Sequence, residues 1–135
     1  MTLIDEQDSP HGGPEASGTG PRKVMVLLTK RADLTREQFI RYYEDHHVPL
    51  VRRLLPSIGE YRRNYLDTTT GARQTPPPDL GFDVVTELWF EDDAAWEKFR
   101  SDLQSPEVTA VLAEDEANFL DRTRNCSVGV DVYPR

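Results

Sequence analysis

Residues 82–93 read FDVVTELWFEDD. Val84, Thr86, Leu88 and Phe90 fall on one side of a period-two pattern, and Asp83, Val85, Glu87 and Trp89 on the other. That alternation predicts a strand over 82–90. Asp92 or Asp93 then caps a helix whose apolar positions are Trp96, Phe99 and Leu103. A strand that runs straight into an amphipathic helix is one β-α unit. The fold depends on whether a second such unit precedes it.

One does. Val24-Met25-Val26-Leu27-Leu28 is a short apolar run and predicts a buried strand. Thr35 and Gln38 form a capping box, so a helix follows. Its expected stripe is Phe39, Tyr43, Leu50 and Leu54, flanked by Ile40 and Val51. Pro49 predicts a kink or restart just before it, and Pro56 ends the element. Ile58 to Asp67 alternates as a strand, with Tyr61, Arg63 and Tyr65 against Arg62, Asn64 and Leu66. Residues 68–81, with three consecutive prolines, predict a long loop. Ser105-Pro106 opens a further helix with an apolar face of Val108, Val111, Leu112, Phe119 and Leu120. Asn125 to Tyr133 alternates as a last strand. The order β-α-β-β-α-β predicts an α+β, ferredoxin-like split βαβ domain: a four-stranded antiparallel sheet with helices on one face. Residues 1–22, rich in Gly, Pro, Ser and acids, predict a disordered N-terminal tail ahead of a domain spanning 23–135.

Composition narrows the function. The chain has 135 residues and 15.4 kDa, enough for one domain. Its 16 basic and 24 acidic residues leave a net charge of −8, which disfavours nucleic acid and anionic membrane surfaces as partners. Residues 79–121 hold 13 acids and two bases, which disfavours a polyanionic substrate. Cys126 is the single cysteine, so no internal disulfide forms. No metal is expected, because the three histidines and one cysteine show no ligand spacing. Neither a G-x-G-x-x-G nor a P-loop is present, and no cofactor is expected. No apolar run reaches the roughly 20 residues of a membrane span, and the N-terminus lacks a secretory pattern, so a cytoplasmic location is expected.

A sheet covered on one side leaves its other face bare. Val85 and Trp89 beside Asp83 and Glu87, with Tyr61 and Tyr65 on the neighbouring strand, suit neither dry core nor free surface. The mixture predicts a homodimer that pairs sheet to sheet.

Residues 39–50, FIRYYEDHHVPL, resemble the F-x-x-Y-W-x-x-x-H-x-P-L signature of the EthD family, with Tyr43 where Trp is usual. The resemblance continues through residues 61–65, 83–93 and 115–121. It implies the dimeric α+β-barrel superfamily, with a small-molecule cavity between sheet and helices. Relatives include polyketide cyclases and dehydratases, muconolactone-type isomerases and proteins of ether-degradation clusters. The wider superfamily adds cofactor-free monooxygenases and haem-degrading enzymes.

His47 is the first candidate catalytic residue. It lies on the inward helix stripe, and imidazole is suited to proton transfer near neutral pH. The alternative is a core histidine bonded to the backbone. His46, about 100° around the helix, is expected to face solvent. Glu87 is the second candidate, as a general base or as the group that orients His47, with a salt bridge to Arg62 or Arg63 as the alternative. Tyr65 is the third, as a donor to a developing enolate or phenolate. Tyr43, Asn64, Tyr61, Asp83 and Trp89 are candidate substrate contacts, with Asp83 near the rim and Trp89 a cavity wall. Asp115 and Glu116 are expected to cap, to bridge to Arg122 or Arg124, or to serve the dimer.

The resulting expectation is a cofactor-independent enzyme acting on a hydrophobic, oxygenated small molecule by acid–base proton transfer, as cyclase, dehydratase or isomerase. The alternatives are a non-catalytic ligand-binding or accessory protein and a cofactor-free monooxygenase. Removal of residues 1–22 is expected to leave the thermal unfolding temperature unchanged to within about 2 °C. A larger fall in calorimetry would show that the segment packs on the domain.

Overall fold

The computed structural model describes residues 22–71 and 79–133. The expected tail, up to residue 21, and the middle of the 68–81 loop lie outside the described residues. The first strand, β1 (Arg22–Leu28), is followed by α1 (Arg36–Tyr42), a π-helical turn (Tyr43–His47) and α2 (Val48–Leu54). Then come β2 (Tyr61–Tyr65), β3 (Val84–Phe90), α3 (Asp93–Leu103), α4 (Pro106–Glu116), a 3₁₀ turn (Arg122–Arg124) and β4 (Cys126–Val130). The sheet order is β2-β3-β1-β4, antiparallel throughout. This is the ferredoxin-like α+β arrangement expected from the element order.

Local chemistry explains the helix starts. The Thr35 hydroxyl accepts from the Gln38 N–H, and the Gln38 side chain accepts from the Thr35 N–H. Asp92 caps α3 through the Ala95 N–H, and Ser105 caps α4 with Pro106 in its first turn. Strand ends are tighter than the alternation predicts: β2 keeps five residues of the expected ten, and β4 begins at Cys126 and ends at Val130.

The irregularity at Pro49 takes a definite form. Proline lacks the N–H that would continue the α-helical ladder. The chain widens before it, and the Val48 N–H reaches back to the Tyr43 carbonyl. Buried positions along this segment are Phe39, Tyr43, His47, Val51 and Leu55, spaced by four. In a pure α-helix each four-residue step overshoots a turn by about 40°. The wider π turn absorbs that drift, so the stripe stays on the sheet. This corrects the expected stripe: Val51 and Leu55 are the deep residues, while Leu50 and Leu54 are half-buried.

The core lies between the sheet and the helices. Val24, Val26, Leu28, Val84, Leu88 and Phe90 face Phe39, Phe99, Leu112 and Phe119. Val111, expected inside, is 40% exposed, and Glu116 occupies the buried position one turn after Leu112. Tyr61, Arg63 and Tyr65 point under the helices, whereas Arg62 and Asn64 are exposed on the open face. The expectation that Tyr61 and Tyr65 face a partner sheet is therefore corrected. They share the covered face with Val84 and Leu88, their register partners on β3. Thr35→Ala removes half of the capping box and is expected to cost about 0.5–2 kcal/mol of stability, read by urea unfolding. An unchanged unfolding midpoint would contradict the capping role.

Candidate active site

The two faces of the sheet divide the candidate residues. His47, Tyr43, Tyr61 and Tyr65 lie on the helix side. Glu87, Asn64 and Trp89 lie on the open side, because the strand alternation that buries Thr86 and Leu88 turns Glu87 the other way. Glu87 and His47 are thus separated by the sheet, and Glu87 does not orient His47. Nor does it pair with Arg62 or Arg63. Its carboxylate takes Asn64 Nδ2 at 2.9 Å, Trp89 Nε1 at 3.2 Å and Lys23 Nζ at 3.1 Å. Lys23 also sits over the Trp89 ring. Burial pushes the Glu87 carboxyl up, but the three donors outweigh it and hold it below the usual range. Asp83 stands at the β3 entrance, where it accepts from the Lys30 N–H at 2.8 Å and fixes the loop to β1.

His47 ends the π turn and is 1% exposed. Its ring packs against Tyr43 and Phe119. Nδ1 lies 2.8 Å from Asp115 Oδ2, on the last turn of α4. The other oxygen, Oδ1, accepts from the Tyr42 hydroxyl at 2.7 Å, and Asn118 Nδ2 donates to that hydroxyl at 2.9 Å. Burial works to raise the Asp115 carboxyl, yet the bonds from His47 and Tyr42 prevail and lower it. An ionised carboxylate only accepts, so Nδ1 carries the proton. Nε2 has no hydrogen-bond partner among the described residues. His46 is exposed, stacked beside Tyr42.

Asp115 is the residue that sequence reasoning missed in this role. It sits in the run Glu114-Asp115-Glu116, which looks like a solvated helix end. Glu116 does reach Arg122, at 3.3 Å. The remaining signal was the helical phase. Asp115 stands one turn before the buried Phe119, and so on the side of α4 that meets the first helical segment.

Beside this pair lies a chain of buried hydroxyls. Tyr43 Oη is 2.7 Å from Thr86 Oγ1, and the Tyr61 hydroxyl donates to Tyr43 Oη at 3.5 Å. Tyr65 donates to Glu44 at 2.5 Å, and Arg63 grips the same carboxylate with Nε at 2.9 Å and Nη2 at 2.7 Å. The Arg63 guanidinium holds Glu44 below the usual carboxylate range, against its burial. Burial raises the Tyr43, Tyr61 and Tyr65 phenols, so all three stay protonated donors at neutral pH. Tyr43, Tyr61 and Thr86, with Val51, Leu55 and Ile58, line a void of about 10 Å³, room for roughly one water. Among the described residues no three His, Cys, Asp or Glu side chains converge as a metal site. No helix among them is long and apolar enough to cross a membrane.

The arrangement defines a ferredoxin-like α+β domain with a carboxylate–imidazole pair beneath its helices. Residues 31–123 match the EthD domain family, and the chain belongs to that family. Among solved structures it is similar to an ethyl tert-butyl ether D family protein from Bacillus halodurans. That pair is 16% identical, with a TM-score of 0.56 over 84% of this chain and 99% of the other. An EthD-like protein from Ralstonia eutropha is 22% identical, with a TM-score of 0.55 over 83% and 89%. A dimeric protein of unknown function and ferredoxin-like fold from Bacteroides fragilis is 12% identical, with a TM-score of 0.51 over 86% and 100%. At these identities the likeness is one of fold. No curated protein matches the chain.

Asp115→Asn tests the pair. The Asp115 carboxyl is lowered on folding, so its stabilisation is present above the unfolded value near 3.8 and fades as pH falls through the folded one. The variant is expected to lose about 1–3 kcal/mol at pH 6–7, with the gap to the unmodified protein closing toward pH 3. A gap independent of pH would contradict the charge-assisted bond.

Proposed function

We propose that the protein is a cofactor-independent acid–base enzyme for a hydrophobic, oxygenated small molecule, of cyclase, dehydratase or isomerase type. The observation that carries this reading is the His47–Asp115 pair, in which Nδ1 is held at 2.8 Å and Nε2 has no partner among the described residues. In the proposed step Nε2 takes a proton from carbon beside a carbonyl. The electron pair passes to the carbonyl oxygen, where a buried phenol donates; Tyr43 and Tyr61 line the void, and Tyr65 stands next to them. Dehydration would return the proton to the departing hydroxyl. Tyr43 and His47 share the π turn, so movement of that turn would open the space to substrate.

The same reading has the protein work as a homodimer. The open face carries Val85 and Trp89 around the Lys23–Glu87 pair, whose side chains are already largely covered in one chain. A second sheet would complete their burial, which assigns Glu87 to assembly and not to proton transfer.

A non-catalytic, ligand-binding role is the second reading. The packing of His47 supports it: a ring held between Tyr43 and Phe119 and fixed by Asp115 is also what a purely structural histidine requires. His47→Ala separates the two. On any substrate the protein turns over, the variant is expected to lose about 10²–10⁴-fold in turnover, some 3–5 kcal/mol of transition-state stabilisation. His46→Ala is expected to change little. A folded His47→Ala protein of full activity, or ligand binding with no conversion by the unmodified protein, would favour the second reading. Light scattering is expected to give twice the chain mass at micromolar concentration; a monomer would overturn the assembly.

A further inference from the structure

Tyr61 has two roles at the wall of the buried void. Its hydroxyl reaches the Tyr43–Thr86 pair inside. Over its ring lie two guanidiniums, that of Arg63 at 4.7 Å and that of Arg52 at 5.4 Å from the centroid.

The two cations differ in what balances them. Arg63 is charge-balanced: Glu44 takes two of its N–H groups, and Nη1 donates to the Tyr61 carbonyl at 2.6 Å. Glu44 in turn is filled by Arg63 and Tyr65. Arg62, next along β2, is tied to Glu60. Arg52 is exposed on α2 and has no carboxylate within ion-pair distance among the described residues. A second guanidinium beside an already cationic one gains little from a single aromatic ring. It places a positive charge with no carboxylate in reach among the described residues, in a chain of net −8, over the outer face of Tyr61, whose inner end lines the hydroxyl-bearing void. Guanidinium is the group whose planar fork matches a carboxylate in a bidentate pair.

We propose that Arg52 binds the carboxylate of an amphipathic ligand whose apolar body enters beside Tyr61 toward the Tyr43–Thr86 hydroxyls. The ligand is then a hydrophobic monoacid: one charge for Arg52, an oxygen for the phenols, and an apolar remainder for Val51, Leu55 and Ile58. This rests on the reading of that space as the ligand site. It narrows the substrate class from oxygenated molecules in general to those with a single carboxylate.

The test is calorimetric titration of the full-length protein with 2-naphthoate and with its neutral analogue 2-naphthamide. Naphthoate is expected to bind about tenfold more tightly, equivalent to about 1.4 kcal/mol. Arg52→Gln is expected to abolish that preference. Arg53→Gln, an exposed neighbour with the same change in net charge, is expected to keep it. Glutamine is a good helix former, so both variants are expected to fold. Equal binding of the two probes, or equal effects of the two variants, would overturn the role of Arg52 and leave the ligand site standing. Binding of neither probe would overturn both. The readout is affinity, so it does not depend on whether His47 moves a proton.

Discussion

A buried imidazole must be hydrogen-bonded, and here its partner is a carboxylate from the other helical unit. The His47–Asp115 contact at 2.8 Å is the point on which the helix layer turns. It ties the end of the π turn to the last turn of α4, across the aromatic ring of Phe119. Without Asp115 both ring nitrogens would be unpaired inside an aromatic cluster, which is costly. Without the π turn His47 would drift off the buried stripe. The irregular helix and the buried pair therefore belong together.

The sheet sorts the polar chemistry into two compartments. Under the helices are an imidazole–carboxylate pair, three protonated phenols and a threonine hydroxyl. On the open face is a lysine–glutamate–tryptophan–asparagine cluster with no hydrogen bond to the other group. Within each set the carboxylates are satisfied, and on the helix side Nε2 of His47 alone is left over among the atoms named. The helix-side set places one imidazole nitrogen beside neutral phenols, the combination on which the proposed acid–base function rests. In the open-face set Lys23 and Glu87 are largely covered, while Asn64 stays exposed. That Glu87 is charged and triply bonded suits a fixed interface group better than a proton carrier.

Much of this architecture is legible in the sequence because it is written locally. The continuous apolar run at 24–28, the period-two run at 84–90, the Thr35–Gln38 box and Ser105-Pro106 each act within a few residues. What was not legible depends on distance or on small phase shifts. Pro49 announces an irregularity, but whether the helix over-winds or under-winds decides between Leu50 and Val51, and that is settled by packing. β2 alternates Tyr with Arg, and both residue types tolerate either side of a sheet, so its facing is set by its register with β3. Asp115 is 68 residues from His47, and nothing in an acidic helix end marks one carboxylate as the partner of a distant ring. The placement of Glu87 opposite His47 follows from the same lesson: the alternation was right, and the face His47 occupies was the missing fact.

The central claim is that Asp115 holds Nδ1–H and leaves Nε2 bare. Nitrogen-15 NMR of the His47 ring tests it most directly, at a pH where the imidazole is neutral. The account predicts a protonated Nδ1 and an unprotonated Nε2, with that preference lost in Asp115→Asn. An Nε2–H tautomer in the unmodified protein would contradict it.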